Sequence, residues 1–373
     1  MQWDETQQET IDRILDRDTN EIITGHAGTG KTTVIKELAD QIKHVELLCP
    51  TGKGAAQVQE RTGYPAATIH RALGYDGREF HRGGTFDRTV IIDEASMIDS
   101  HLLGKILEYR PPRLILVGDP SQLPPVGPGA PFHDLIERMN GKVNVLEHCH
   151  RAGGAIHRAC MDIRHGKVPD MIMQSDGEVF QFIKAIDTVS IIRKLRKWIE
   201  QGKYEPEKDL IMAPSYGAGQ VEYGGIDAIN EAVKKMVNPS DDKWEVGDRV
   251  LNTKNFAALD YWNGDIGTIK AIDVNGYLYV HLDRVQGDEV FCQKEQKDAM
   301  RHGYCVSIHK AQGSQARNVF FVCMKHDKYM LHRSLIYTAV TRARKACVVM
   351  GHHRIFVNGI MAEKRKETVL RYL

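Results

Sequence analysis

The stretch that most constrains this chain is "EIITGHAGTGKTTVIKEL". Residues 21–24 read as a short apolar strand, 25–32 match GxxxxGK[ST], and "TVIKELADQI" continues as an amphipathic helix. Strand, glycine loop and helix in that order build a phosphate-binding turn. Gly25, Gly28 and Gly30 let backbone N–H groups close around phosphate oxygens at a helix N-terminus. Lys31 is placed to hold the β and γ phosphates and Thr32 to ligate Mg²⁺, with Thr29 and Thr33 completing the loop. Nucleotide binding, with Mg²⁺ as the nucleotide's metal, follows from this element.

Two later segments supply chemistry for the same site. In "RTVIIDEASMID" an apolar strand over residues 90–92 ends in adjacent acids. Asp93 at the strand's carboxyl end can hold Mg²⁺, and Glu94 can orient and deprotonate an attacking water. Adjacent acids with separate roles favour hydrolysis over phosphoryl transfer to an acceptor. "PRLILVGDPSQLPPVG" gives another buried strand, residues 114–117, followed by Asp119 and Gln122. Strands alternating with helical segments indicate a parallel sheet whose ligands sit at the carboxyl edges of the strands. Gln122 there can sense the γ-phosphate, or it is part of a plain proline turn.

At 373 residues the chain is too long for one ordinary core and fits two domains. Its 42% hydrophobic and 27% charged residues suit a globular protein, and no apolar run approaches a membrane span. The start, "MQWDETQQET", lacks the pattern of a secretory signal, so the expected location is the cytoplasm. Seven scattered cysteines without a CxxC pair read as reduced, buried thiols, and "HCHRAGGAIHRAC" offers no convincing metal spacing. With a net charge of +1, nucleic-acid binding requires a local groove rather than bulk charge.

The motifs "GHAGTGKTT", "CPTGKGAA", "TIHRALG", "IIDEASMID", "VGDPSQLPPV", "VSIHKAQGS" and "YTAVTRARK", in this order, resemble those of superfamily 1 helicases, most of all the RecD family and the phage Dda branch. The resemblance runs from about residue 3 to 351. It implies an α/β fold of two RecA-like P-loop NTPase-type domains with ATP in the cleft between them and only the first carrying a phosphate loop. The strand-like runs "DLIMAP", "YCVSIH", "VFFVC" and "ACVVMG", none followed by a second GxxxxGK[ST], fit that plan. The expected division is a first domain over 1–148, a second over 149–250 and 301–373, and an insert over 251–300. The resemblance also implies that Arg342 and Arg151 act on the γ-phosphate. Planar, permanently charged guanidinium groups neutralise charge developing on the transferred phosphoryl group. Arg344 reads as a solvated helix-face residue. Gln7, rather than Gln8, is implied to pair with the adenine edge; taken alone, "DETQQET" is a polar helix start capped by Asp4 or Thr6.

The same resemblance places single-stranded DNA on Pro50, Thr51 and Lys53 after the strand "VELLCP", on Thr68 and His70, and on His309, Lys310 and Ser314 of "SIHKAQGS". Hydroxyl, backbone and lysine contacts grip phosphates without reading bases, as a translocating motor requires. His309 alternatively reads as a strand-end histidine without that role. Residues 73–88, "LGYDGREFHRGGTFDR", are expected to form a short β-hairpin pin with Phe80 either stacking on a base at a duplex junction or packing the hairpin. The 251–300 insert reads as a small SH3-like β-barrel, with a glycine turn at Asn275 and Gly276 and with Tyr261 and Trp262 packing it or stacking bases. Residues 152–208 carry no chemical motif, and their basic helix "IIRKLRKWIEQGK" reads as a solvated face. The expectation is a minimal, monomeric ATP-dependent DNA helicase moving 5′ to 3′, with no N-terminal extension and no nuclease or zinc module. An RNA helicase or a translocase that does not unwind, and a P-loop kinase or nucleotide-binding regulator, stand as alternatives.

Overall fold

The computed structural model describes residues 3–139, 141–149, 153–217, 224–256, 261–285, 291–293, 297–364 and 366. The chain divides into two units, residues 1–152 with 365–373, and residues 153–364.

The first unit is a parallel sheet wrapped by helices. Its strands are β1 (Glu21–Gly25), β2 (Val45–Cys49), β3 (Ala66–Thr68), β4 (Thr89–Ile92), β5 (Arg113–Gly118) and β6 (Val143–Leu146), in the order β3-β2-β4-β5-β1-β6. Every pairing is parallel, as connections through helices demand. The helices are α1 (Glu5–Asp16), α2 (Lys31–Gln41), α3 (Gly52–Thr62), α4 (Ile69–Ala72), α5 (Ser100–Glu108) and α6 (Pro131–Arg138). Strands β1 and β5 are buried along their whole length, which is why they read as unbroken apolar runs. One core layer joins Ile23, Val34, Leu38, Ile91, Ile115 and Val117; the other joins Ile22, Leu48, Ile92, Leu114 and Phe132.

The second unit repeats this plan. Strands β7 (Ile172–Ser175), β8 (Glu178–Lys184), β9 (Leu210–Ala213), β15 (Cys305–Ser307), β16 (Ala316–Cys323) and β17 (Ala343–Gly351) lie in the order β15-β9-β16-β17-β8-β7, with β7 antiparallel at one edge. Around them pack α7 (Ala155–Arg164), α8 (Thr188–Glu200), α9 (Ile226–Val237), α10 (Arg333–Val340) and α11 (His353–Met361). The basic helix of the sequence is α8, anchored by Ile191 and Leu195 with its charges outward. Between β9 and β15 the chain makes a separate antiparallel sheet of β10 (Arg249–Asn252), β11 (Ile266–Ile272), β12 (Leu278–Leu282), β13 (Phe291–Gln293) and β14 (Met300–His302), ordered β13-β12-β11-β10-β14. Among the described residues of this insert no ladder joins β13 to β14. Its core is Val250, Tyr261, Ile269, Leu278, Val280 and Leu282, so Tyr261 packs the sheet instead of offering a face to bases. A bidentate pair, Arg249 with Asp283 at 2.7 and 2.6 Å, ties β10 to the end of β12.

Within residues 73–88 the chain makes one antiparallel bridge, Tyr75 with Phe80, and no named strand. Between the two bridged residues the Asp76 carboxylate accepts from the N–H groups of Arg78 and Glu79 at 2.8 and 2.9 Å, and the Asp76 N–H donates to the Glu79 carbonyl at 3.1 Å, which closes a tight turn. Among the described residues Cys49, Cys149, Cys160, Cys305, Cys323 and Cys347 are buried thiols outside any disulfide. No helix among the described residues is long and apolar enough to cross a membrane.

Candidate nucleotide and nucleic-acid site

The phosphate loop lies between β1 and α2. Gly28 and Gly30 take positive φ values of 91° and 79°, a region that glycine enters without a Cβ penalty. A Cβ on Gly25 would stand 2.4 Å from the Thr29 hydroxyl, so that position tolerates no side chain. Lys31, at the start of α2, donates to the carbonyls of Gly25 at 2.7 Å and His26 at 3.0 Å. Thr32 and Thr33 occupy the next positions of the first helical turn. Gln7 reaches the same loop: its Nε2 donates to the Thr29 carbonyl at 3.1 Å, while its Oε1 accepts from the Asp4 N–H at 3.3 Å. Asp4 caps α1, and Gln7 is both the reciprocal half of that capping box and a contact to the phosphate loop. Gln8 is exposed and bonds Asp12.

Because β1, β4 and β5 are parallel neighbours, Gly25, Asp93 and Asp119 leave the sheet at one edge. Asp93 is buried, and burial together with the charge of Glu94 pushes its carboxyl up to about 6, against the opposing pull of Lys31 and Arg61. Its Oδ1 accepts from the Glu94 N–H at 2.8 Å. Glu94 itself sits at φ 56°, in the left-handed region that non-glycine residues seldom occupy. Asp119 and Gln122 are buried beyond β5, where the Asp119 carboxylate accepts from the Ser121 N–H at 2.9 Å. A raised carboxylate, a threonine hydroxyl and a glycine-lined nest of N–H groups form a hard-oxygen and anion-binding donor set, which fits Mg²⁺ with a nucleotide polyphosphate. Among the described residues no group of three or more His, Cys, Asp or Glu could hold a metal alone, so a cation here takes its remaining oxygens from elsewhere, as Mg²⁺ does from phosphates and water.

In the second unit Arg342 follows α10 and is buried. Its Nε donates to the Thr338 carbonyl at 3.1 Å, Nη1 to the Ser314 carbonyl at 3.2 Å and Nη2 to the Thr341 hydroxyl at 3.2 Å. Arg342 thereby touches the "SIHKAQGS" loop through Ser314. Arg344 is exposed and bonds Gln315. Arg151 lies outside the described residues.

The expected nucleic-acid residues of the first unit fall at one edge, since Cys49 pairs with Thr68 in the parallel register of β2 and β3. Pro50 precedes Thr51, which caps α3 by accepting from the Gly54 N–H at 3.1 Å; Lys53 lies in the first turn. Thr68 caps α4 in the same way through the Arg71 N–H at 3.1 Å. His70 packs against the rings of both Tyr75 and Phe80, at centroid distances of 5.2 and 5.8 Å, and burial lowers its imidazole below its ordinary value. Phe80 also meets Tyr75 at 4.8 Å and packs against the unit's core, so it is a half-buried member of a ring cluster and not a projecting tip. In the second unit His309 and Lys310 are half-buried after β15, and Ser314 is buried.

Sequence reasoning missed Arg82. It grips Glu46 through Nη1 and Nη2, both at 3.2 Å, donates to the Ala72 carbonyl at 2.8 Å and lies 3.9 Å over the Phe86 ring, fixing the 73–88 segment to β2. Nothing in a glycine-rich stretch distinguishes that arginine from a solvated one.

Residues 2–187 match the family model of an AAA domain, and residues 302–350 that of a UvrD-like helicase C-terminal domain. Over an alignment of 387 residues the chain is 30% identical to the RecBCD enzyme subunit RecD of Mycolicibacterium smegmatis, covering 88% of this chain and 68% of that protein. The chain belongs to the RecD-like family of superfamily 1 helicases. This RecD-like chain is thus an ATP-hydrolysing DNA helicase by family. It is also 30% identical to the ATP-dependent RecD2 DNA helicase of Deinococcus radiodurans, where 87% of the chain matches only 46% of the relative. Two solved structures share its fold: Pif1 helicase from Candida albicans, with a TM-score of 0.58 at 19% identity over 98% of this chain and 97% of that one, and Bacteroides Pif1 in complex with ADP-AlF3 and single-stranded DNA, with a TM-score of 0.55 at 19% identity over 98% and 95%.

Proposed function

We propose that this RecD-like helicase hydrolyses Mg²⁺-ATP at the phosphate loop and uses that cycle to move 5′ to 3′ along single-stranded DNA and open duplex at a junction. The observation that carries this reading is the meeting, at one sheet edge, of Lys31 on the phosphate loop with the buried Asp93 and the left-handed Glu94. Mg²⁺ supplies charge neutralisation of the polyphosphate. Lys31 exchanges its loop carbonyls for phosphate oxygens, Thr32 and Asp93 hold the metal, and Glu94 takes a proton from the attacking water. Gln122 reads the γ-phosphate position, and Gln7, already on the Thr29 carbonyl, is set beside the base. Arg342 and Arg151 supply positive charge to the transferred phosphoryl group.

The single strand runs over Pro50, Thr51, Lys53, Thr68 and His70 in one unit and His309, Lys310 and Ser314 in the other. Two RecA-like motor units with an inserted sheet, acting as a cytoplasmic monomer, complete the reading. Polarity rests on the motif resemblance. A RecD relative is named as a subunit of the RecBCD enzyme, so mass by light scattering, alone and with DNA, tests the monomer.

Strand displacement from two matched duplexes, one with a 5′ tail and one with a 3′ tail, tests the whole. Displacement from the 5′ tail alone is expected. Displacement from the 3′ tail alone refutes the polarity, and ATP turnover indifferent to polynucleotide refutes the motor in favour of a P-loop kinase or regulator.

A further inference from the structure

At the carboxyl edge of the second unit's sheet, Lys310 of the "SIHKAQGS" loop has neighbours that no motif accounts for. Strands β9 and β15 are parallel neighbours, with Ala213 opposite Ser307, so the loops after them leave the sheet side by side. The first loop carries Tyr216, the second Lys310. Arg301, on β14 of the inserted sheet, reaches the first loop: its guanidinium lies 5.2 Å from the centre of the Tyr216 ring. It also pairs with Asp227 at 3.3 Å, in the first turn of α9.

The loop residue before Tyr216 is tied down on two sides. Ser215 donates to the buried Asp327 carboxylate at 2.6 Å, and Asp327 also accepts from the Met324 N–H at 2.8 Å, which binds the loop after β9 to the turn after β16. The Ser215 carbonyl accepts from the Ile226 N–H at 3.0 Å. A Cβ on Gly225 would lie 2.1 Å from that carbonyl, so the loop sits directly on the start of α9. Tyr216 is nonetheless 38% exposed as a residue. An aromatic face held firmly and left partly open suits stacking rather than core packing.

Lys310 adds the charge argument. It is half-buried and makes no ion pair among the described residues, and burial followed by the positive charge of Arg301 lowers its ammonium below its ordinary value. Lys310 thus lies within range of the Arg301 charge, and the carboxylate that meets Arg301 is Asp227. Such an arrangement is relieved by an anion between the two cations.

We propose that Tyr216, Arg301 and Lys310 form a clamp for one nucleotide step of single-stranded nucleic acid, with Tyr216 stacking on a base and the two cations taking the adjoining phosphates. This rests on the strand-translocation reading above and adds to it Tyr216 and Arg301, a contact through which the inserted sheet itself grips the strand.

The test is the affinity of the full chain for a fluorescent oligothymidine, measured by anisotropy across a salt series. Arg301→Gln is expected to weaken binding and to flatten the slope of log affinity against log salt by about 0.7, the value for one phosphate contact on a single strand. Arg301→Lys is expected to restore the slope. Tyr216→Ala is expected to weaken binding about tenfold with the slope kept, and Tyr216→Phe to bind as the parent does. Lys235→Gln, which removes an exposed charge on α9 outside the cluster, controls for bulk charge. Parent-like affinity and slope in both Arg301→Gln and Tyr216→Ala overturn the clamp, as does a Lys235→Gln effect equal to that of Arg301→Gln. If the parent chain itself fails to bind oligothymidine at low salt, the strand-translocation reading falls first and the clamp with it.

Discussion

His332 makes the second unit sensitive to acid in a way that can be calculated. It caps the N-terminus of α10, the helix that Arg342 follows, and its Nδ1 faces the Ser334 hydroxyl at 2.9 Å. Burial, then Lys364 and His309, push its imidazole down from 6.5 to about 4. A depressed histidine binds fewer protons folded than unfolded, so its contribution to stability is present above the unfolded value and drains away as pH falls toward the folded one. Between pH 7 and pH 5 the linkage relation gives a loss of about 2 kcal/mol from this group alone. Replacing His332 by Asn keeps a hydrogen-bonding residue suited to a helix N-terminus and removes the titration. The unfolding of α10 is followed in urea by hydrogen exchange and mass spectrometry, so that the second unit is read separately from the first. The parent is expected to lose about 2 kcal/mol more than His332→Asn over that pH interval. His70, His157, His302 and His309, which burial also lowers, are retained in both proteins and largely cancel in the comparison. Parallel stability curves for the two proteins refute the reasoning.

Three further outcomes are expected. Lys31→Ala removes the loop's cation and abolishes ATP turnover; near-normal turnover in a steady-state assay sends the phosphate-loop assignment back. Arg342→Lys keeps a charge but not the planar fork that meets Thr338, Ser314 and Thr341, and is expected to slow hydrolysis by about 10³ with nucleotide binding retained in a titration of a fluorescent ATP analogue. Phe80→Ala is expected to impair strand displacement more than DNA-stimulated ATPase, and equal losses in both assays argue that Phe80 serves the ring cluster with His70 and Tyr75 alone.

What was legible in the sequence was what is built from contiguous residues. The strand, glycine loop and helix around Lys31, and the apolar strands ending in Asp93 and Asp119, are local patterns whose period and punctuation dictate their form. Parallel pairing then brings them to one edge without any further signal. Gln7 was readable as a helix-start residue, but its bond to the Thr29 carbonyl depends on how α1 packs beside α2. In the 73–88 segment the glycines and aromatics pointed to a turn, and the Asp76 carboxylate forms one between Tyr75 and Phe80, but how far the pairing extends beyond that single bridge was not written in the pattern. The Arg82 grip on Glu46, the Asp327 tie to Ser215 and the Arg301 contact with Tyr216 were out of reach. Each joins polar residues far apart in sequence, and a polar residue in a loop reads the same whether solvated or engaged.

The positions of unfavourable local choices follow the same division. Asp93 is buried beside another acid until its carboxyl stands near 6, and Glu94 next to it holds a left-handed backbone that costs on the order of 1 kcal/mol. Neither choice serves the packing of β4, whose apolar residues 90–92 already complete the core. Both are supported by neighbours that leave little room to relax: Asp93 accepts from the Glu94 N–H at 2.8 Å, and the turn after it closes with the Met97 N–H on the Glu94 carbonyl at 3.0 Å. By contrast the acids that merely hold the fold together, Asp283 on Arg249 and Asp209 on Arg317, each meet a guanidinium in bidentate geometry. A buried acid given a full partner stabilises a fold, and one left short of positive charge favours a cation that binds later. On the reading proposed above, the Asp93 and Glu94 pair is of the second kind, and it stands at the strand edge beside the phosphate loop.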